Sequence, residues 1–257
     1  MIFYFTGTGN SLYAAQKLRE NPQEKFIDIG QTIRSRHFTY EVAPGEKVGF
    51  VFPVYYWGLP HIIPWFIKKL NLTGAEPEYT YALITCGNSI GGADQMLRDE
   101  MEKAGYRLDT VFTLKMPDNY VLMLDIPSEE EQAAILKDAE AELEKIKDAV
   151  SSCSPEGYTS GKKEKLLSAM AYPLYRYGRK TKKFYTDDRC IGCGACAKRC
   201  PCGAIAMKDG KPTWVKDRCI HCLACINRCG AIQYGKGTAT RSRYVHPVLQ
   251  KKKSGHH

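Results

Sequence analysis

Short apolar runs recur through the first half of the chain, and most are followed by a stretch of helical periodicity. Residues 2–5 form the first run and end in glycines. Residues 10–20 then set Leu12, Ala15 and Leu18 along one stripe. Further runs at 26–29, 47–52, 79–85 and 108–114 read as strands. Residues 60–70, 93–104 and 129–150 read as helices, the last with Ser128 as N-cap and Glu131 in the capping-box position. Five strands alternating with four helices predict an α/β fold built on a doubly wound parallel sheet. Ligands of such sheets bind outside the carboxyl ends of the strands.

Residues 48–67 are nearly free of charge and long enough to span a bilayer, but Pro53, Pro60, Pro64 and Gly58 interrupt them. They read as a buried strand, a loop and a helix start, so no membrane span is expected. Residues 1–5 lack the basic region of a signal peptide, and the expected location is cytoplasmic. Hydrophobic residues make up 44% of the chain and charged residues 25%, which excludes a mainly disordered protein.

Charge divides the chain unevenly. Residues 1–157 hold 15 Lys and Arg against 23 Asp and Glu, and the rest holds 22 against 5. With the breaker run at 151–157, this marks a boundary near 158. The expected plan is a first domain at 1–157, a basic helical linker at 158–184, a cysteine-rich domain at 185–235 and a basic tail at 236–257. Residues 254–257 resemble a tag remnant and are set aside. Within the linker, Leu166, Leu167, Ala169, Met170, Leu174 and Tyr175 predict a helix, interrupted at Pro173, that docks the two halves. Its basic face could bind nucleic acid or membrane, but no nucleic-acid motif accompanies it, so no nucleic-acid partner is expected.

Candidate chemistry lies at the strand ends. Thr6, Gly7, Thr8, Gly9, Asn10 and Ser11 follow the first strand and open a helix. Two glycines let backbone N–H groups converge, the helix start adds partial positive charge, and the hydroxyls add donors: a phosphate site without lysine. The spacing is neither a P-loop nor a dinucleotide fingerprint, and a plain capped turn is the alternative. After the third strand, Pro53, Tyr55, Tyr56, Trp57 and Gly58 bring aromatics to the same edge, either to stack on a planar ring or to close a core corner. After the fourth, Cys86, Gly87, Asn88, Gly91 and Gly92 form a small, donor-rich loop suited to close backbone approach, or simply a flexible glycine loop. Cys86 also reads as a small buried hydrophobe.

Taken together these three loops resemble the FMN loops of flavodoxins over about 150 residues. The resemblance implies FMN, with 6–11 on the phosphate, Tyr56 and Trp57 beside the ring and the 87–92 backbone along its polar edge. Residues 116–120 lie beyond the fifth strand and are left unplaced, near either the flavin or the second domain. Neither 53–60 nor 86–92 contains Asp or Glu. A less negative flavin potential than in strongly acidic flavodoxins is therefore expected.

Nine of the eleven cysteines fall between 190 and 229. Cys190, Cys193, Cys196 and Cys200 follow C-x2-C-x2-C-x3-C-P, and Cys219, Cys222, Cys225 and Cys229 repeat the spacing 29 residues later. Reduced thiols packed this closely are metal ligands, and this spacing favours iron–sulfur clusters over zinc. The duplication resembles bacterial two-cluster ferredoxins. That resemblance implies two [4Fe–4S] clusters, one on Cys190, Cys193, Cys196 and Cys229, the other on Cys219, Cys222, Cys225 and Cys200. The second copy lacks the proline and is two residues shorter after its last cysteine, Cys202 is an extra, non-ligand thiol, and His221 replaces Gly192.

The whole chain resembles the flavodoxin–ferredoxin fusion proteins of anaerobic bacteria. The resemblance implies an electron-transfer protein passing electrons between FMN and two [4Fe–4S] clusters to a redox partner. The alternative is an oxidoreductase whose FMN reduces a quinone, nitro compound or flavin. A flavin edge covered by Tyr56, Trp57 or residues 116–127 would favour the carrier; an open cavity would favour the enzyme. No catalytic side chain stands out. Arg241, Arg243, Lys251, Lys252 and Lys253 are expected to steer a partner with an acidic docking face to the cluster end.

Overall fold

The computed structural model describes residues 1–250. The expectations for Lys251, Lys252, Lys253 and residues 254–257 lie outside the described residues. In chain order the first half comprises β1 (Ile2–Tyr4), α1 (Asn10–Leu18), β2 (Phe26–Asp28), α2 (Ile29–Ser35), β3 (Thr39–Val42) and β4 (Val48–Pro53). It continues with α3 (Ile62–Lys69), β5 (Asn71–Gly74), β6 (Thr80–Cys86), α4 (Ala93–Lys103), β7 (Thr110–Lys115) and α5 (Glu129–Ser151).

Successive strand residues face opposite sides of a sheet, so a strand covered by helices on both faces must be apolar throughout. β4 meets that demand, and β6 does so apart from Thr80 and Thr85 near its ends. Phe50, Phe52, Ala82 and Ile84 pack with Phe66 of α3 and Leu97 of α4. Val51, Tyr81 and Leu83 turn the other way, onto Ala14 of α1 and Leu143 of α5. The five strands run in the order β2-β1-β4-β6-β7, all parallel. With β3 and β5 set apart, this is the 2-1-3-4-5 order of flavodoxin-like sheets. The capping box of α5 forms as expected: Glu131 N donates to Ser128 Oγ (3.2 Å), and Ser128 N donates to Glu131 Oε2 (2.8 Å).

Three elements were not foreseen. α2 is seven residues long, capped by Asp28 Oδ1, which accepts from Gln31 N. β3 and β5 form a separate two-stranded parallel sheet whose residues are mostly exposed or half-buried, so no apolar run announces them.

The second half begins with α6 (Lys162–Gly178), followed by β8 (Phe184–Thr186), α7 (Ala195–Arg199), β9 (Ile205–Lys208), β10 (Lys211–Trp214), α8 (Ala224–Arg228) and β11 (Ile232–Tyr234). The expected break at Pro173 is corrected: α6 is a single helix with the proline inside it. Proline forfeits one helical hydrogen bond, and tertiary anchors on both sides hold the helix in place. Ser168 Oγ donates to Trp57 O, Tyr172 OH to Leu59 O and Tyr175 OH to Ile220 O, the last two at 2.8 Å. Beyond α6, β9 pairs with β10 and β8 with β11, both antiparallel. Val121, immediately after the segment left unplaced by sequence, packs with Phe184, Leu223, Ile226 and Ile232 in the core of this half. Among the described residues no helix is long and apolar enough to cross a membrane.

Candidate functional site

The carboxyl ends of β1, β4 and β6 open on a cavity of about 450 Å³, within the range of small-molecule and cofactor sites. Its lining includes Thr6, Gly7, Thr8, Asn10 and Ser11 from the first loop. Pro53, Tyr55, Tyr56 and Trp57 come from the second, and Cys86, Gly87 and Asn88 from the third. Gly9, Gly58, Gly91 and Gly92, expected at the site, lie outside the lining and serve packing instead. Gly58 receives the Tyr172 ring, Gly91 and Gly92 sit under Trp57 and Ser168, and Gly9 lies beneath His246 and Leu249.

At the first loop no side chain caps α1, and Gly9 N donates to Thr6 Oγ1 (3.0 Å). The hydroxyls expected to face a phosphate are partly engaged: Ser11 Oγ pairs with Thr85 Oγ1 (2.8 Å), and Thr8 Oγ1 accepts from Asn119 Nδ2 (2.6 Å). Asn10 is fully engaged, donating to Pro117 O (3.0 Å) and accepting from Tyr244 OH (2.7 Å). An anion here would rest on backbone N–H groups at the uncapped helix start.

A strap from the far end of the chain covers this loop. His246 N donates to Thr8 O (2.8 Å), and the His246 ring lies 4.5 Å from that of Tyr13. Burial lowers the His246 pKa to about 4, and its neutral Nδ1 accepts from Val248 N (3.1 Å). Sequence reasoning missed Tyr244 and His246, which come from a segment remote in sequence with no motif around it, and left Asn119 unplaced.

The second loop is a two-residue turn. Tyr55 and Gly58 exchange backbone hydrogen bonds at 2.9 and 3.0 Å, and Tyr56 and Trp57 have φ of 49° and 56°. Two left-handed residues in succession usually call for Asn-Gly, so bulky aromatics here hold local backbone strain. Tyr56 OH bonds Tyr120 OH (2.7 Å), and its ring stacks on Tyr175 at 6.0 Å. Ala171, Leu174 and Tyr175 of α6 form another wall, and Met123 and Leu124 complete the rim. Residues 116–120, unplaced by sequence, therefore serve both neighbours: they line the cavity here and lead into the second core at Val121. Asp118 lies against Gly87, its Oδ1 accepting from Tyr120 N (2.8 Å). A carboxylate thus reaches the cavity although the two flanking loops have none.

The cysteines form a second constellation. Cys200, Cys219, Cys222 and Cys225, the set implied for one cluster, line a common pocket with Ile205, Trp214 and Leu223, and Cys196 of the other set lines it too. Burial pushes the Cys219 thiol up to about 11, Cys222 to about 12 and Cys225 well above its ordinary value. Thiolates in so apolar a place need a cationic group among them, as iron supplies. Backbone donors already aim at sulfur: Ala204 N to Cys200 Sγ (3.2 Å) and His221 N to Cys219 Sγ (3.3 Å). Such bonds tune a cluster's potential. Among the described residues no group of three His, Cys, Asp or Glu is gathered in a way that could hold a single metal ion. Cys202 lines the same pocket, its Sγ 3.8 Å from Cys200 Sγ. For the other set, Cys196 has Cys193 and Cys229 as charge neighbours, and Cys193 is exposed.

Both repeats wind the chain alike. Gly192 and Gly194 have φ of 69° and 70°, and their counterparts His221 and Leu223 have 53° and 57°. A Cβ on Gly192 would meet Gly210 O at 2.6 Å. His221 has room, and its Nε2 lies 3.1 Å from Lys180 O. His221 also lines the strand-end cavity, so one residue borders both constellations. Gly7 packs on the backbone carbonyl of Cys222. Tyr175 OH accepts from His61 N (3.1 Å) while donating to Ile220 O.

Residues 182–230 match the family described as 4Fe-4S dicluster domain. That match supports an iron–sulfur domain in this part of the chain. No curated protein matches the sequence. Among solved structures, a putative flavoprotein from Bacteroides uniformis is 16% identical, covering 45% of this chain and 90% of that one with a TM-score of 0.33. The Trp repressor binding protein from Bacillus subtilis is 14% identical, covering 45% and 84% with a TM-score of 0.32.

Proposed function

We propose that the chain is an electron-transfer protein that holds FMN in the strand-end cavity and two [4Fe–4S] clusters on the eight repeat cysteines. When bound, FMN exchanges one or two electrons and each cluster one, so the pair links two-electron to one-electron chemistry. The observation that carries this reading is the junction: the cavity wall includes His221, and the first loop touches Cys222, so the two constellations share a border. The backbone of residues 6–11 would bind the phosphate, Tyr56 and Trp57 would flank the ring, and Asp118 would set the charge beside it.

The carrier reading is preferred to the small-molecule reductase. Tyr56 and Tyr120, which both line the cavity, join hydroxyls and so tie together the two segments expected to cover the flavin edge. Arg241 and Arg243, expected to steer a partner, are engaged within the chain. Arg241 Nε donates to Asp125 Oδ1 (3.2 Å) and Arg243 Nη2 to Gln233 Oε1 (2.7 Å). The visible spectrum and cofactor extraction of anaerobically purified full-length chain test the reading. One FMN and about eight iron per chain are expected. Zinc in place of iron, or no flavin uptake by chain supplied with FMN, would overturn it.

A further inference from the structure

α6 presents an unusual surface. Ser168, Tyr172 and Tyr175 fix one face against the protein. The opposite face, which an ordinary surface helix makes polar, carries Leu166, Leu167, Met170, Leu174 and Tyr177 instead. These are 62, 39, 71, 66 and 61% exposed. At 100° per residue they fall within one side of the helix. Met123 and Leu124, 64 and 48% exposed, extend the patch across the cavity rim that Leu174 shares.

Basic residues frame the patch. Lys162 and Lys163 stand at the start of α6 and Arg176 near its end, with Lys180, Lys182 and Lys183 just beyond, all exposed. Glu164 is the only acid from 162 to 183. Residues 251–257 contain no apolar side chain.

We propose that the outward face of α6 is a peripheral membrane-binding surface that seats the protein on anionic phospholipid. An anionic bilayer supplies both things the surface lacks: an apolar phase for the leucines and methionine, and negative headgroups for the flanking lysines. Lysine stems lie along apolar surface while their ammonium groups reach the headgroups. Tyr177 suits the interface itself, with an apolar ring and a polar tip. Bound this way, the protein turns the Met123–Leu124 rim of its cavity toward the lipid. The binding uses no cofactor, so its failure would leave the electron-transfer reading untouched.

The test is co-sedimentation of the full chain with vesicles of phosphatidylcholine and of an equal mixture of phosphatidylcholine and phosphatidylglycerol. Binding to the mixed vesicles, weakened by salt, is expected. Leu166→Ser with Met170→Ser should reduce partitioning at least about tenfold, the loss expected for removing two inserted side chains. Both positions are exposed, so the fold should persist, and a melting curve like that of the wild type verifies this. Lys162→Gln with Lys163→Gln removes the charge separately and should weaken binding to the anionic vesicles. Wild type left in the supernatant with both vesicles would overturn the proposal, as would equal binding to both or unchanged binding of the Ser double variant. So would a dimer that the Ser double variant dissolves, without vesicle binding, because the face would then be a protein interface.

Discussion

Gly7, in the loop after β1, rests against the backbone carbonyl of Cys222, and no Cβ fits between them. A glycine first read as a phosphate donor is thus also the point at which the flavodoxin-like sheet meets the second cysteine run. Gly7→Ala must push the two backbones apart, and overpacking of this kind costs about 1–3 kcal/mol. The variant should melt at lower temperature and pass electrons from flavin to cluster more slowly. Thermal unfolding and stopped-flow spectroscopy check both outcomes. An unchanged internal transfer rate would count against this contact as the electron route.

Asp118 should hold the flavin potential down. Its carboxylate borders the cavity, and a like charge beside a reduced ring in a partly buried site costs on the order of 1 kcal/mol or more. For a two-electron couple that is about 20 mV or more. Asp118→Asn keeps an acceptor for Tyr120 N while removing the charge, so the potential should rise by about that amount. Spectroelectrochemical titration of both proteins measures it.

Cys202 should be dispensable for iron. Cys202→Ala is expected to retain full iron and sulfide, whereas Cys200→Ala should lose about half, since one of two clusters depends on it. Iron analysis with low-temperature EPR of the reduced proteins distinguishes the two. Iron loss in Cys202→Ala would reassign the fourth ligand.

Acid should loosen the strap. Burial holds the His246 pKa at about 4, below the ordinary 6.5, so the unfolded segment takes up a proton before the folded one does. The strap's stability is complete above about 6.5 and falls as pH drops toward 4, by at most about 1.4 kcal/mol per unit. Protonation also removes the Nδ1 acceptor that Val248 N uses. Hydrogen-exchange protection at residues 244–249, taken against the unstructured rate at each pH, should fall over this range in the wild type. It should stay flat in His246→Asn, whose amide oxygen can cap without titrating.

The sheet strands were legible because burial on both faces makes them apolar runs, and α1, α3, α4 and α5 because one apolar stripe repeats in each. β3 and β5 were hidden because residues such as Thr39, Glu41 and Asn71 carry no such constraint. Pro173 misled in the opposite direction: local propensity argued for a break, and tertiary anchors at Ser168 and Tyr175 overrode it. The cysteine repeat was readable because its spacing is itself the chemistry. Asn119 could not be placed, and Tyr244 and His246 were unreadable, because each acts across more than a hundred residues of sequence through hydrogen bonds or a ring contact.

The bond from Tyr244 to Asn10 spans 234 residues of chain. On the ribosome the loop that follows β1 emerges well before the strap that covers it, with both cysteine runs made in between. Over that interval the loop stands bare. An anion can enter without any lid having to open, and the strap closes over it once residues 244–249 have been made.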